Sequence, residues 1–367
     1  MRRRVGLLFG GRSAEHDVSR MSAANVLRAL DPERFEVVPI GIGRDGRWRL
    51  GGGAGNGGGI GGQALVIPDG APAVALVPGG GGELLVLDET GSRTERLDAV
   101  VPVLHGPNGE DGTVQGLLEL AGVPYVGSGV MGSAAAMDKD VAKRLLRDAG
   151  VPVVPFAVLS ARRMLSYEQA AAAVEADELF VKPANMGSSV GVSRARNAVE
   201  FARACSEAFR HDEKVLAERS VAGAREIECS VLEEADGTVR ASPLGEIVPA
   251  EHRGFYSYEA KYVDPDGAAL VVPAELEAGL AQRIRAMAVD AFAALECGGL
   301  ARVDFFVEPG AGGAVFVNEI NTLPGFTAIS MYPKLWEAAG MSQGALMATL
   351  VAQAMARFER RRSLAAG

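Results

Sequence analysis

Residues Ala301–Gly325 read ARVDFFVEPGAGGAVFVNEINTLPG. RVDFFV and AVFVNEIN each alternate apolar and polar residues, the period of a half-buried strand, and Pro309-Gly310-Ala311-Gly312-Gly313 supplies a turn between them. A hairpin of this kind lets Asp304 and Glu319 share one face, with Asn321 two residues further on. Two carboxylates and an amide are hard oxygen ligands of the kind magnesium takes alongside water and substrate phosphates. Acids on an exposed strand face are also common, so the rest of the chain has to decide between the two readings.

At 367 residues and 48% hydrophobic content the chain can bury more than one core. A formal charge of −9 argues against a sequence-independent grip on nucleic acid, which needs clustered Lys and Arg, and against a membrane-surface role. Met1-Arg2-Arg3-Arg4 followed by Val5–Phe9 has the outline of a signal peptide, but Gly10-Gly11-Arg12 ends the apolar run too early. Cys205, Cys229 and Cys297 are odd in number and widely spaced in apolar or helical surroundings, the pattern of reduced core thiols in a cytoplasmic protein.

Three units follow from the pattern: an N-terminal α/β domain over 1–138, a central unit over 139–230 and a C-terminal unit over 231–367, the last two of α+β character. Val5–Phe9, a glycine turn and the helical period Ser13–Leu30 open the first, with further strands at Phe35–Ile42 and Ala99–Leu104 and a short helix around Gly116–Leu120. Within it Gly51–Gly62, GGGAGNGGGIGG, reads as a flexible surface insertion without function. The central unit has helices at Asp138–Ala149 and Glu200–Phe209 and strands at Val153–Leu159, Leu179–Lys182 and Lys214–Glu218. The third starts around Cys229–Leu232, carries a polar stretch from His252 to Asp266, a long helix at Pro273–Cys297, the acidic hairpin and a closing helix, Gln343–Arg361, whose basic end reads as solvated.

Several segments have chemical potential. Lys182 ends an apolar strand and is followed by Gly187, Ser188, Ser189 and Gly191, small residues whose amides can approach phosphate closely, although the spacing is not that of a P-loop. Gly10-Gly11-Arg12-Ser13 lacks the G-x-G-x-x-G fingerprint, so a nicotinamide site is disfavoured, but the turn brings Glu15 and His16 to a helix start. Glu218 and Glu226 sit at strand ends, where acids can accept from a ribose or an adenine amino group, although ordinary surface glutamates are the commoner reading of such positions. Phe255–Tyr262, FYSYEAKY, has the composition of a lid over about 252–266 that brings Lys261 and Tyr262 to a site, and equally that of a hydrophobic loop plug.

Taken in order, LLFGGRSAEHDVS, LHGPNGEDGTVQGLLELAGVPYVGSGVMGSAAAMDK, VKPANMGSSVG, REIEC, YEAKY, RVDFF and NEINTLPGFT resemble the D-alanine–D-alanine ligases of the ATP-grasp superfamily, over essentially the whole chain. The resemblance implies an ATP-grasp fold behind an N-terminal domain with an open parallel sheet. It implies that Lys139 and Lys182 hold ATP phosphates, that Glu218 and Glu226 face adenine and ribose, and that Lys261 reaches the γ-phosphate. Asp304, Glu319 and Asn321 would bind two magnesium ions, or manganese, with Glu319 bridging. Glu15 would hold the first D-alanine's ammonium in a triad with Ser188 and Tyr262, and His105 would lie beside that substrate. Arg302 and the Gly325 amide would form an oxyanion hole, and Ser330 would take the second D-alanine's carboxylate. The implied activity is ATP-dependent ligation through a D-alanyl phosphate for peptidoglycan precursor synthesis, by a cytoplasmic homodimer without nucleic-acid or membrane partners. A D-lactate-using ligase is the nearest alternative, and Tyr262 argues for D-alanine. A silent nucleotide-binding regulator would have lost a magnesium ligand or the oxyanion arginine, and none is missing. The chain departs from compact members at Gly51–Gly62 and is slightly long at Ser220–Arg225, which could shift Glu226.

Overall fold

A computed structural model describes residues 2–52, 54–55, 64–249, 268–310 and 313–365. Lys261 and Tyr262, with the expected lid, lie outside the described residues.

The first unit comprises β1 (Arg3–Gly10), α1 (His16–Ala29), β2 (Phe35–Ile42), β3 (Trp48–Leu50), β4 (Ala54–Gly55), β5 (Ala64–Leu65), β6 (Ala73–Leu76), β7 (Glu83–Asp88), β8 (Gly91–Arg96), β9 (Ala99–Val103), α2 (Thr113–Ala121) and α3 (Val130–Met137). A seven-stranded sheet runs β8-β7-β6-β3-β2-β1-β9. The expected parallel core is β2-β1-β9, in which β1 is buried from Val5 to Gly10 and β9 throughout, so both read as continuous apolar runs. Four antiparallel strands extend it on the β2 side. They escaped the sequence reading because their alternation is short and glycine-rich turns break it up.

The central sheet, β10-β13-β11-β12, is antiparallel and built from β10 (Phe156–Ser160), β11 (Leu179–Pro183), β12 (Ser193–Ala195) and β13 (Lys214–Arg219). Helices α4 (Lys139–Asp148), α5 (Tyr167–Val174) and α6 (Ala198–Ala208) belong to the same stretch. Asp138 caps α4 by accepting from the amides of Asp140 and Val141, which fixes where Lys139 leaves the helix start. The third sheet orders β14 (Arg225–Glu233), β15 (Val239–Pro249), β16 (Ala268–Val271), β17 (Leu300–Val307) and β18 (Val315–Asn321) as β16-β15-β14-β17-β18. Helix α7 (Ala278–Ala294) buries Ile284, Ala288, Ala291 and Phe292 in the core of this sheet. The helices α8 (Met331–Ala338) and α9 (Gln343–Ala365) close the chain.

Helix α9 returns to the first sheet, where Leu346, Met347, Leu350 and Val351 share a core with Val5, Leu7 and Val101. Its basic end, Arg360 to Arg362, is exposed as expected from sequence, while Arg357 one turn earlier is half-buried. Arg357 lies 4.9 Å over the Tyr125 ring and donates to the Tyr125 carbonyl at 2.8 Å, and Arg361 pairs with Glu119. Arg360 donates to the Ala235 carbonyl at 2.8 Å. Arg362 lies 4.0 Å from Glu359.

The reading of Gly51–Gly62 as a flexible surface insertion fails at its start. The Gly51 amide donates to the Pro39 carbonyl at 2.7 Å and the Gly52 amide to that of Val66 at 3.0 Å. A Cβ on Gly51 would stand 2.9 Å from the Phe9 ring, so glycine is there because the backbone packs against an aromatic side chain. Ala54 and Gly55 then pair with Leu65 and Ala64. All three cysteines are free, as expected, and among the described residues no helix is long and apolar enough to cross a membrane.

Candidate active site

The hairpin forms as expected, and a bulge after Asp304 sets its register so that Asp304 faces Glu319 and Arg302 faces Asn321. On its other side Asp304 faces Glu228 of β14, so three carboxylates stand abreast across three strands. Like charges directly opposite one another destabilise a sheet, and cations answer them here. Arg302 is bidentate on Asp304 at 2.7 Å to each oxygen and lies 3.0 Å from Glu228. Burial alone would lower the arginine's pKa, but Asp304 and Glu228 outweigh it and raise it well above the ordinary value. Asn321 donates to Asp304 at 3.0 Å, and Lys139 approaches Glu319 at 3.8 Å. Among the described residues no group of three or more His, Cys, Asp or Glu is placed to hold a metal. The hairpin's two carboxylates and one amide would therefore need phosphate and water oxygens to complete an octahedral set, which fits a magnesium ion that arrives with a nucleotide.

Two cavities meet at this hairpin. The larger, about 530 Å³, lies between the central and third sheets and is lined by Lys139, Lys182, Glu218, Glu226, Asn318 and Glu319. All the described candidates for nucleotide binding are on its wall, Glu226 among them. Lys182 bridges Glu218 at 2.8 Å and Asn318 at 3.3 Å. Lys139 donates to the Met186 carbonyl at 2.5 Å, and burial pushes its pKa down against the pull of Glu319.

The smaller cavity, about 100 Å³, is lined by Glu15, His105, Ser188, Arg302, Gly325 and Ser330, the described candidates for amino-acid binding and oxyanion stabilisation. Glu319 and Gly187 line both cavities. Ser188 and Ser189 hold left-handed backbone at φ 51° and 59°, unusual for residues with a Cβ. That conformation divides the small-residue loop, with Ser189 on the larger cavity and the Ser188 hydroxyl donating to Glu15 at 2.5 Å. His105 is buried, and its Nδ1 donates to the Leu323 carbonyl at 3.0 Å while Ser22 Oγ lies 3.4 Å from Nε2. Burial lowers its pKa and Glu15 opposes that, so the ring is a neutral neighbour of the site. At Gly325 a Cβ would stand 2.8 Å from Ser330 Oγ, so only glycine lets these two candidates approach.

Three residues at the site were not singled out from the sequence. Glu228 was detectable because it alternates with Glu226 on one strand face. Lys143 lies one helical turn after Lys139 and so shares its face of α4. Glu110 sits in HGPNGEDG and accepts from the amides of Gly106 at 2.7 Å and Leu323 at 3.2 Å, tying together two loops of the smaller cavity. No local pattern distinguishes it from Asp111.

Comparison with known proteins identifies the family. The family profile described as D-ala D-ala ligase N-terminus matches residues 4–128, and that described as D-ala D-ala ligase C-terminus matches 145–352. The chain belongs to the D-alanine–D-alanine ligase family. A family member from Methylobacterium sp. (strain 4-46), named D-alanine–D-alanine ligase, is 62% identical over 361 residues, covering 98% of this chain and 93% of the relative. The solved D-alanine-D-alanine ligase of Coxiella burnetii superposes with a TM-score of 0.83 at 35% identity, covering 99% of this chain and 97% of that one. The VanG D-Ala:D-Ser ligase of Enterococcus faecalis superposes with a TM-score of 0.80 at 33% identity, covering 96% and 100%. The fold is accordingly that of the ATP-grasp ligases.

Proposed function

We propose that the two cavities form one reaction chamber for ATP-dependent joining of two D-alanine molecules into D-alanyl-D-alanine, for cell-wall synthesis. The observation that carries the reading is the division of the candidates. Nucleotide candidates line one cavity, amino-acid candidates the other, and Glu319 lies on the wall of both.

A carboxylate is a poor acyl donor at neutral pH, so the first D-alanine is activated as its acylphosphate, with ADP leaving. The second D-alanine's amine then attacks that carbonyl, and inorganic phosphate departs from the tetrahedral species. In this chain Glu15, braced by Ser188, holds the first ammonium. Lys139 and Lys182 meet the triphosphate. Arg302 and the Gly325 amide face the oxyanion, a kind of contact whose removal typically costs a few kcal/mol in the barrier. Ser330, pinned by Thr327, receives the second carboxylate. Asp304, Glu319 and Asn321 would hold magnesium, which neutralises charge on the phosphates when bound. Lys261 and Tyr262 complete the reading as γ-phosphate and lid residues that exclude water from the acylphosphate. A cytoplasmic homodimer belongs to the same reading.

The fold alone does not choose the acceptor, since a D-Ala:D-Ser ligase superposes nearly as well as a D-alanine ligase. The 62% identity to the Methylobacterium relative favours D-alanine over D-lactate or D-serine. A coupled assay for ADP release decides it. D-alanine alone should support turnover and yield D-alanyl-D-alanine. No ADP with D-alanine alone, but release once D-lactate or D-serine is added, would reassign the acceptor.

A further inference from the structure

Behind the wall of the larger cavity, α4 carries a lysine that none of the roles above uses. Lys143 is 1% exposed, and its Nζ stands 3.3 Å from Glu218 Oε1. Among the described residues Glu218 is the only acid within ion-pair distance of it, and neither of the two atoms has a hydrogen bond elsewhere. The other oxygen of Glu218 is held by Lys182 at 2.8 Å. Two lysines therefore share one buried glutamate, itself 3% exposed. A buried ammonium is costly to desolvate, and a structural role would be met more cheaply by an apolar side chain of the same length.

Resting on the reading of the larger cavity as the ATP site, we infer that Lys143 is a positioning residue for nucleotide binding: it keeps Glu218 ionised and in place while Lys182 turns from Glu218 to the phosphates. The argument is one of charge. With both lysines protonated the cluster carries one net positive charge, available to an incoming phosphate through Lys182, which lines the cavity. Without Lys143 the remaining pair is neutral, and Lys182 can reach phosphate only by leaving Glu218 as an unpaired buried carboxylate. Burial pushes Lys143 down to about 8 against the pull of Glu218, which leaves it mostly protonated at neutral pH. Burial alone would raise the Glu218 pKa, but Lys143 and Lys182 outweigh that and hold it below the ordinary value.

The test is a double-mutant cycle on the full-length enzyme, with Lys143→Met, which keeps the apolar stem, Lys143→Arg, Glu218→Gln, and the Met/Gln pair. Melting temperature, kcat and the KM values for ATP and D-alanine are read for each. Lys143→Met should raise the ATP KM by about tenfold or more while the D-alanine KM stays within about twofold, and Lys143→Arg should recover part of the loss. In the Glu218→Gln background the added penalty of Lys143→Met should fall within about threefold, because no carboxylate then holds Lys182 back. An unchanged ATP KM in folded Lys143→Met, or a penalty of equal size in both backgrounds, overturns the inference. If Lys143→Met does not fold, the Met/Gln pair is compared with Glu218→Gln alone, and a tenfold loss there overturns it too. A wild-type enzyme with no saturable ATP dependence would instead defeat the nucleotide reading itself.

Discussion

Ser188 donates a hydrogen bond of 2.5 Å to Glu15 across 173 residues of sequence, and it does so from a left-handed backbone conformation. A non-glycine residue is held at φ 51° only when surrounding contacts repay the strain, and the charged acceptor does so here. The contact joins the first domain's helix start to the loop that divides the two cavities. Hydrogen bonds to charged groups contribute about 1.5–3 kcal/mol, so Ser188→Ala should lower kcat/KM for D-alanine by about ten- to a hundredfold. Steady-state kinetics check it, and an unchanged value in a folded variant would leave Ser188 a loop residue only.

Asp304→Asn and Glu319→Gln should each nearly abolish ADP release, because both acids are proposed magnesium ligands. Asp304 also balances Arg302 through a bidentate pair, so its loss should lower the melting temperature as well as turnover. Differential scanning calorimetry beside the kinetic assay reads both, and near-normal turnover by either folded variant removes that ligand.

Glu110 provides a pH test. Burial, aided by Glu15, pushes its carboxyl up to about 8, against hydrogen bonds from two backbone amides. The unfolded chain releases this proton near the ordinary value of about 4.3, so the folded state binds more protons above that pH. Its stabilising contribution is fully present below about pH 4 and is lost as pH rises toward about 8. Glu110→Gln should flatten the decline of melting temperature across that window, since each tenfold difference in proton affinity between the folded and unfolded chain is worth about 1.4 kcal/mol. Parallel slopes for wild type and variant would show that Glu110 ionises normally.

Gly51→Val should destabilise by about 1–3 kcal/mol, because its Cβ would overpack Phe9. Replacing residues 56–62 with a short turn should change stability by no more than about 0.5 kcal/mol, as surface changes usually do. Urea denaturation of the two variants separates a packed start from a dispensable remainder, and equal effects would erase that distinction.

The ordered motifs of the chain were enough to identify the family and to name every described residue on the two cavity walls that carries a proposed role. Strand alternation predicted the hairpin, because a side-chain period is local, but the register set by the turn would bring Asp304 opposite Asn318, and it is the bulge after Asp304 that moves its partner to Glu319. What local pattern could not contain is partnership at long range. Glu228 joins the carboxylate row only through the pairing of β14 with β17, and Glu110 matters only because its loop meets Leu323, 213 residues away. Arg360 to Arg362 at the end of α9 are exposed, as a basic helix terminus usually is, but only the return of that helix to the first sheet gave Arg357 the Tyr125 ring to cover. Lys143 lay in plain view in sequence, but its meaning depends on burial beside Glu218, and burial is a property of the packed whole rather than of any segment.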